Sequence, residues 1–200
     1  MPGLRAARTR SCGIRGGGLM SGFAWFAWGC GAVLLFWGIG AYNRVMSLRN
    51  AIASAFVQLD THLSERAQLC NKLLDLLRPL LPNEQATFAA LEAAQAESQA
   101  LAQAVRAKPC SSDPVASLAV ANAVHAAALT RVMSMLDHHA ELREHSELYA
   151  LMDELKLVER QRSFARQVFN QAVGVYNQAV SQFPTRVLAS LYGFGEARSL

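Results

Sequence analysis

The fold is decided by a stretch near the amino terminus, residues 19–42, which reads LMSGFAWFAWGCGAVLLFWGIGAY. It contains no Asp, Glu, Lys, Arg or His, and it exceeds the roughly 20 mostly apolar residues that a helix needs to cross a bilayer. A cleaved signal peptide is the alternative, but its apolar core is usually shorter and ends at a small-x-small site, which is missing here. The stretch therefore predicts a retained single-pass transmembrane anchor in contact with the lipid bilayer.

Aromatic residues within the stretch suit a membrane–water interface. All three tryptophans of the chain, Trp25, Trp28 and Trp37, lie within it, and Tyr42 is its last residue. Indole and phenol rings are enriched where lipid headgroups meet water, because each combines an apolar ring with a hydrogen-bonding group. These four residues are the predicted membrane-interface contacts.

The residues before the anchor decide its predicted orientation, and two alternatives stay open. Residues 1–18 are rich in Arg and Gly without apolar periodicity, so a disordered basic leader is expected if they are translated. With this leader, the positive-inside rule places the amino end in the cytoplasm and the rest of the chain on the other side. If the chain instead starts at Met20, the same rule predicts the opposite orientation.

The chain after the anchor predicts an all-α domain over residues 43–195, with a short tail at 196–200. Gly and Pro are scarce there, and no segment alternates apolar and polar residues as a half-buried strand does. Apolar residues at heptad spacing, typical of coiled-coil packing, fill the first helix until Pro79 and Pro82 end it. The expected helices span about residues 43–81, 83–107, 114–139 and 147–181, with a short turn over 185–191. Short connections between them predict an up-down-up-down antiparallel bundle.

The charge pattern argues against a nucleic-acid partner. The formal net charge is +4, but much of the excess comes from arginines in the leader. The helical region is close to neutral, and its basic residues do not form a basic surface interleaved with aromatic residues, as nucleic-acid-binding proteins require.

Patterns that indicate catalysis or metal binding are sparse. His138, Glu141 and His145 would share one face if they were helical, which makes them a weak candidate for a zinc or nickel site. The simpler interpretation is a solvated polar corner between two helices. The His-Glu-x-x-His, P-loop and Gly-x-Ser-x-Gly motifs are absent. The sequence predicts neither a catalytic site nor a cofactor.

A charged residue on the core side of the first helix predicts a polar layer. Arg66 interrupts an apolar row and should not be buried without a partner. If the first and fourth helices are antiparallel and the fourth ends near the membrane, Arg66 faces Glu159 and Arg162, and Asp60 faces Arg166. These five residues are predicted to fix the helix register, as polar core residues do in coiled coils. Ordinary solvated positions at matching heights are the alternative.

Two blocks of the sequence resemble the LemA family. The first begins at Tyr42 and reads YNRVMSLRNAIASAFVQLDTHLSERAQL. The second begins at Tyr149 and reads YALMDELKLVERQRSFARQVFNQAVGVYNQAVSQFPTRVLASLYGFGE. The resemblance covers about residues 35–195 and implies a bacterial protein with an amino-terminal membrane helix and a bundle of long helices. It supplies no catalytic residues.

The chain differs from the family pattern at three places. His138 and His139 stand where the family has Tyr-Pro, Phe169 replaces a Tyr, and the aromatic tail after the Gly-Phe ending is absent. With the predicted anchor, a bacterial family implies a location in the inner membrane. The positive-inside rule places the bundle on the periplasmic side if the leader is translated. The expected function is a scaffold for membrane or envelope proteins. A membrane protease and a second copy of the chain are candidate partners, and an envelope stress or lipid-organising factor is the alternative function.

Overall fold

The computed structural model describes residues 18–139 and 145–200, and all regular secondary structure within them is helical. The helices are α1 (Gly18–Leu80), α2 (Gln85–Ala107), α3 (Ser112–His138), α4 (Ser146–Ser181) and α5 (Thr185–Leu191), with a 3₁₀ turn (Pro82–Glu84) between α1 and α2. The predicted all-α class is confirmed. The predicted anchor and first bundle helix both lie in α1. Apart from Gly18, the predicted leader lies outside the described residues.

Proline sets the boundary between α1 and α2. Pro79 lies in the last turn of α1, and Pro82 begins the 3₁₀ turn. Proline lacks the backbone N–H that continues a helix and disfavours the helical conformation of the residue before it. The chain therefore reverses direction within four residues, and α2 can pack back along α1.

The described residues divide into two compact units, with the boundary between Ala41 and Tyr42. In the first unit, side chains from Ala24 to Trp37 are exposed, and this part of α1 is apolar enough to cross a membrane. The apolar helix α3 of the second unit meets the same criterion. Residues of α3 contribute to the bundle core, and core helices of soluble proteins also satisfy this criterion.

In the second unit, four long helices form the predicted antiparallel bundle. As residue numbers rise along α1, the numbers of the residues that it contacts on α4 and on α2 fall. Both helices are therefore antiparallel to α1. The pairs are Phe56 with Phe169, Arg66 with Glu159, Asp60 with Arg106, and Asn71 with Gln95. Asn122 of α3 accepts hydrogen bonds from Arg66 and from Ser98 of α2, so all four helices meet at one level.

The apolar core of the bundle falls into two clusters. The cluster nearer Tyr42 is built around Phe56, Phe169 and Tyr176, and the other around Leu77 and Phe88. Burying one such side chain stabilises the fold by about 1.5–3 kcal/mol. The boundary between the clusters lies at the level of Arg66.

Candidate functional site

Polar side chains cross the bundle between the two core clusters. We call them the polar layer, and its members are Arg66, Gln95, Ser98, Asn122, His125, Glu159 and Arg162. Arg66 is 2% exposed, and its guanidinium donates to Glu159 Oε1 at 3.4 Å and to Asn122 Oδ1 at 3.0 Å. Arg162 donates two hydrogen bonds to Glu159 Oε2, at 3.0 and 2.8 Å. One carboxylate therefore joins two arginines.

The environment of Arg66 combines a large desolvation cost with one compensating charge. Burial lowers the pKa of Arg66, the nearby Glu159 carboxylate opposes this by raising it, and Arg162 lowers it further. A buried charge persists only if it is paired and hydrogen-bonded. Glu159 is the acidic group that meets this requirement here.

The structure brings together three of the five predicted layer residues, Arg66, Glu159 and Arg162. Asp60 instead forms a salt bridge with α2, since Arg106 Nη2 lies 2.6 Å from Asp60 Oδ2. The predicted pairing of Asp60 with Arg166 is therefore wrong. Arg166 is exposed and takes part in no salt bridge within residues 18–139 and 145–200. The prediction matched heights along the two helices, but Asp60 projects towards α2 and not towards α4.

A buried histidine in the layer was not predicted. His125 of α3 is 0% exposed, and neither ring nitrogen has a hydrogen-bond partner among the described residues. Burial lowers its pKa to about 3, with further lowering by Arg66 and Arg162. The ring is therefore neutral at ordinary pH.

The sequence contains a signal for this burial. The apolar residues of α3 predict a core position at Val124, but Val124 is exposed and its neighbour His125 is buried. Leu118, His125 and Val132 follow one another at heptad spacing, and all three are fully buried. The heptad spacing therefore predicts a buried position at His125, whether the residue there is apolar or polar.

A cavity of about 160 Å³ lies beside the polar layer, between α1 and α2. Its lining includes the three layer residues with unpartnered buried atoms: Arg66 through Nε, Gln95 through Oε1, and His125 through both ring nitrogens. A cavity of this size with polar partners suits water or a small polar molecule.

The weak metal-site candidate falls partly outside the described residues, because Glu141 is not among them. His138 is the last residue of α3, and its Nδ1 lies 2.6 Å from the carbonyl oxygen of Ser134. His145 directly precedes α4, and both histidines are exposed. Among the residues that the structure describes, no group of three or more His, Cys, Asp or Glu is placed to hold a metal ion.

The four aromatic residues predicted at a membrane interface all lie on α1. Trp25 and Trp28 are largely exposed, whereas Trp37 is only partly so. Tyr42, the first residue of the second unit, packs against Tyr192 at 5.4 Å and Phe194 at 6.1 Å between ring centroids. The end of the bundle that follows the uncharged stretch is thus also the end reached by the carboxyl-terminal residues.

The last residues of the chain bind to α4 through two asparagines. Asn177 donates to the carbonyl oxygen of Ala197 and accepts from its N–H, both at 2.8 Å. Asn170 makes the same pair of hydrogen bonds with Leu200, again at 2.8 Å. The Tyr176 hydroxyl donates to the carbonyl oxygen of Gly195 at 3.0 Å. We call residues 194–200 the C-terminal segment. The sequence predicts only a short tail over residues 196–200.

These features define a class of protein: an all-α four-helix bundle with a charged layer in its core, which follows an amino-terminal helix apolar enough to span a membrane. The LemA family model matches residues 55–200. The chain therefore belongs to the LemA family, and the resemblance noted in the sequence is confirmed. The matched range contains the polar layer and both asparagines that bind the C-terminal segment. A comparison with curated proteins gave no match.

Proposed function

We propose that this protein is a membrane-anchored helical scaffold of the bacterial envelope, which presents its bundle to other membrane or envelope proteins and has no catalytic activity of its own. The observation that carries the proposal is an apolar stripe on the outer face of α4. The stripe consists of Leu157, Phe164 and Val175.

The stripe faces away from the core. At 100° per residue, its three members lie within about 20° of one another around α4, and Phe164 is 67% exposed. The core positions of α4, such as Val158 and Phe169, lie about 100–120° from this line. Large apolar side chains at such spacing are typical of a helix that docks against a partner.

The anchor supports the membrane part of the proposal. Residues 19–42 carry no charge, and the amino-terminal helix is apolar enough to cross a membrane. For a LemA-family protein we infer the bacterial inner membrane. The bundle lies on the periplasmic side if the basic leader is translated.

Photo-crosslinking in native membranes tests the scaffold function. With benzoylphenylalanine in place of Phe164, a substitution that keeps an aromatic side chain, we expect crosslinked protein adducts of defined mass. The same group at Glu97, an exposed residue of α2, serves as the control. A charge placed within the stripe, as Leu157→Asp, should abolish the adducts. Adduct masses distinguish a second copy of the chain from another protein. Equal labelling from both positions, or adducts that survive Leu157→Asp, would contradict the proposal.

A second candidate function, a lipid-organising factor, is favoured by one observation on α5. This helix and its flanks expose apolar side chains: Phe183, Val187, Leu191 and Tyr192. Leu191 is 78% exposed, and Tyr192 contacts Tyr42, which ends the uncharged stretch. An exposed apolar face at the end of the bundle that contains Tyr42 suits the headgroup region of a bilayer.

The lipid candidate makes its own prediction. Full-length protein with benzoylphenylalanine at position 191, reconstituted in phospholipid vesicles, should form lipid adducts visible by mass spectrometry. Substitution at Ser190, an exposed polar position of the same helix, should give several-fold fewer. Similar lipid labelling at both positions would mean that α5 does not present its apolar face to the bilayer.

A further inference from the structure

Three helices each contribute one buried polar side chain to the cavity between α1 and α2. These are Arg66 of α1, Gln95 of α2 and His125 of α3, which are 2%, 7% and 0% exposed. Among the residues that the structure describes, Arg66 Nε, Gln95 Oε1 and both ring nitrogens of His125 have no hydrogen-bond partner. Buried polar groups in folded proteins are nearly always hydrogen-bonded. The partners of these atoms are therefore expected to come from a molecule in the cavity.

Hydrogen bonds to neighbouring residues fix how these side chains are oriented. The two terminal nitrogens of the Arg66 guanidinium donate to Glu159 and Asn122, which fixes its plane and leaves Nε–H without an acceptor. Gln95 Nε2 donates to Asn71 Oδ1 at 2.8 Å, and its Oε1 remains to accept a bond. The neutral imidazole of His125 has one N–H and one acceptor nitrogen. The cavity thus offers two donors and two acceptors to a ligand.

The charges around the cavity include one positive charge in excess. Among the described residues that line the cavity or belong to the polar layer, the arginines are Arg66, Arg106 and Arg162, and the carboxylates are Asp60 and Glu159. Asp60 pairs with Arg106, whereas the single carboxylate of Glu159 is shared by the other two arginines. A buried charge requires compensation, and an anion beside Arg66 Nε would supply it.

The volume of the cavity limits the size of its ligand. The cavity measures about 160 Å³, well below the roughly 300–1,000 Å³ of sites for drug-sized molecules. An engineered apolar cavity of about 150 Å³ binds benzene, so about six non-hydrogen atoms fit in such a space. Gln99, Gln103 and Arg106, which also line the cavity, are exposed. A ligand can therefore enter from solvent between α1 and α2.

We propose that this cavity binds a small carboxylate anion that also carries a hydroxyl group, as glycolate does. The carboxylate accepts hydrogen bonds from Arg66 Nε–H and from the N–H of His125, and it balances the excess positive charge. The hydroxyl donates to Gln95 Oε1, and a water molecule can donate to the second ring nitrogen of His125. This binding site is additional to the scaffold function and does not rest on it.

Isothermal titration calorimetry on the full-length protein in detergent tests the proposal with three probes of similar size. Glycolate is expected to bind as one molecule per chain, with a dissociation constant below about 1 mM. Glycolamide keeps the hydroxyl and the number of non-hydrogen atoms but has no charge, whereas acetate keeps the charge and lacks the hydroxyl. Each should bind at least about tenfold more weakly than glycolate, because each leaves one requirement of the cavity unmet.

A substitution at Gln95 locates the bound molecule. Gln95→Met replaces the carboxamide by an apolar side chain of similar length, so glycolate should bind this variant about tenfold more weakly than the wild type. Acetate, which makes no hydrogen bond to Gln95 Oε1, should bind both proteins equally. Gln85→Met makes the same change at an exposed position of α2 outside the cavity, and it should leave both affinities unchanged.

Three outcomes would overturn the proposal. Failure of glycolate to bind would leave water as the occupant of the cavity. Equal binding of glycolate and either analogue would show that the cavity does not require both the charge and the hydroxyl. Undiminished glycolate binding in Gln95→Met would place the ligand elsewhere. The first two outcomes use the native sequence, so they decide the question even if the variant does not fold. Crosslinking from Phe164 is a separate measurement, so failure here leaves the scaffold function standing.

Discussion

Replacing Glu159 by alanine is expected to destabilise the bundle by about 3 kcal/mol. This change removes the acidic partner of the buried Arg66, and breaking a buried ion pair typically costs about 3–5 kcal/mol. We expect the lower end, because Glu159 is partly exposed and Asn122 still accepts a hydrogen bond from Arg66. For a chain of this size, the melting temperature should fall by about 6–12 °C. Thermal denaturation of the full-length protein in detergent, followed by circular dichroism, measures the shift.

Two further variants separate the layer from a general effect of losing a charge. Glu154→Ala, at an exposed position of the same helix, should change the melting temperature by no more than about 2 °C. Arg66→Met should cost less than Glu159→Ala, because Glu159 keeps Arg162 as its partner. An unchanged melting temperature in Glu159→Ala would show that the ion pair of Arg66 and Glu159 stabilises the fold no more than a surface ion pair does.

Acidification is expected to weaken the fold through His125. The pKa of His125 is about 3 in the folded protein, against about 6.5 in an unfolded chain. Between these values the unfolded chain binds a proton that the folded chain does not, so stability rises with pH in this window and falls as pH drops below about 6.5. The slope from this residue is about 1.4 kcal/mol per pH unit. His125→Leu should remove this part of the pH dependence.

The comparison between variants isolates this histidine from the carboxylates that also titrate in acid. Between pH 7 and pH 5, the melting temperature should fall further in the wild type than in His125→Leu. The fall that remains in His125→Leu reports the other titrating groups. His138→Ala, at an exposed position, should behave as the wild type. Equal acid losses in the wild type and His125→Leu would show that the ring is accessible to protons without unfolding. Burial is the main cause of the lowered pKa of His125, and the charges of Arg66 on α1 and Arg162 on α4 lower it further.

The sequence predicted those features that depend on periodicity. Apolar spacing and proline positions predicted all the helices of the bundle. The assumed antiparallel register of α1 and α4 predicted the contact between Arg66 and Glu159. Height along a helix does not specify the direction of a side chain around it, and for this reason Asp60 was paired with the wrong arginine. His125 was missed because the pattern was read as apolar residues only.

The C-terminal segment shows a different limit of prediction from sequence. Its contacts with α4 are made by backbone groups, which every residue carries. The identities of residues 194–200 therefore do not predict these contacts. The signal lies on the other side, in Asn170 and Asn177 at heptad spacing on a largely buried face of α4. Two carboxamides in such positions indicate that a polar partner must reach them, but the sequence does not say which segment supplies it.

The division of the core by the polar layer bears on cooperativity. Continuous apolar contacts make a helical bundle unfold cooperatively. Here they are interrupted at the level of Arg66, where hydrogen bonds between charged and polar side chains lie between the two core clusters. Proteins open locally in contiguous cooperative units, at free energies that range up to that of global unfolding. We therefore expect hydrogen exchange to report two cooperative units, one around Leu77 and Phe88 and the other around Phe56 and Phe169.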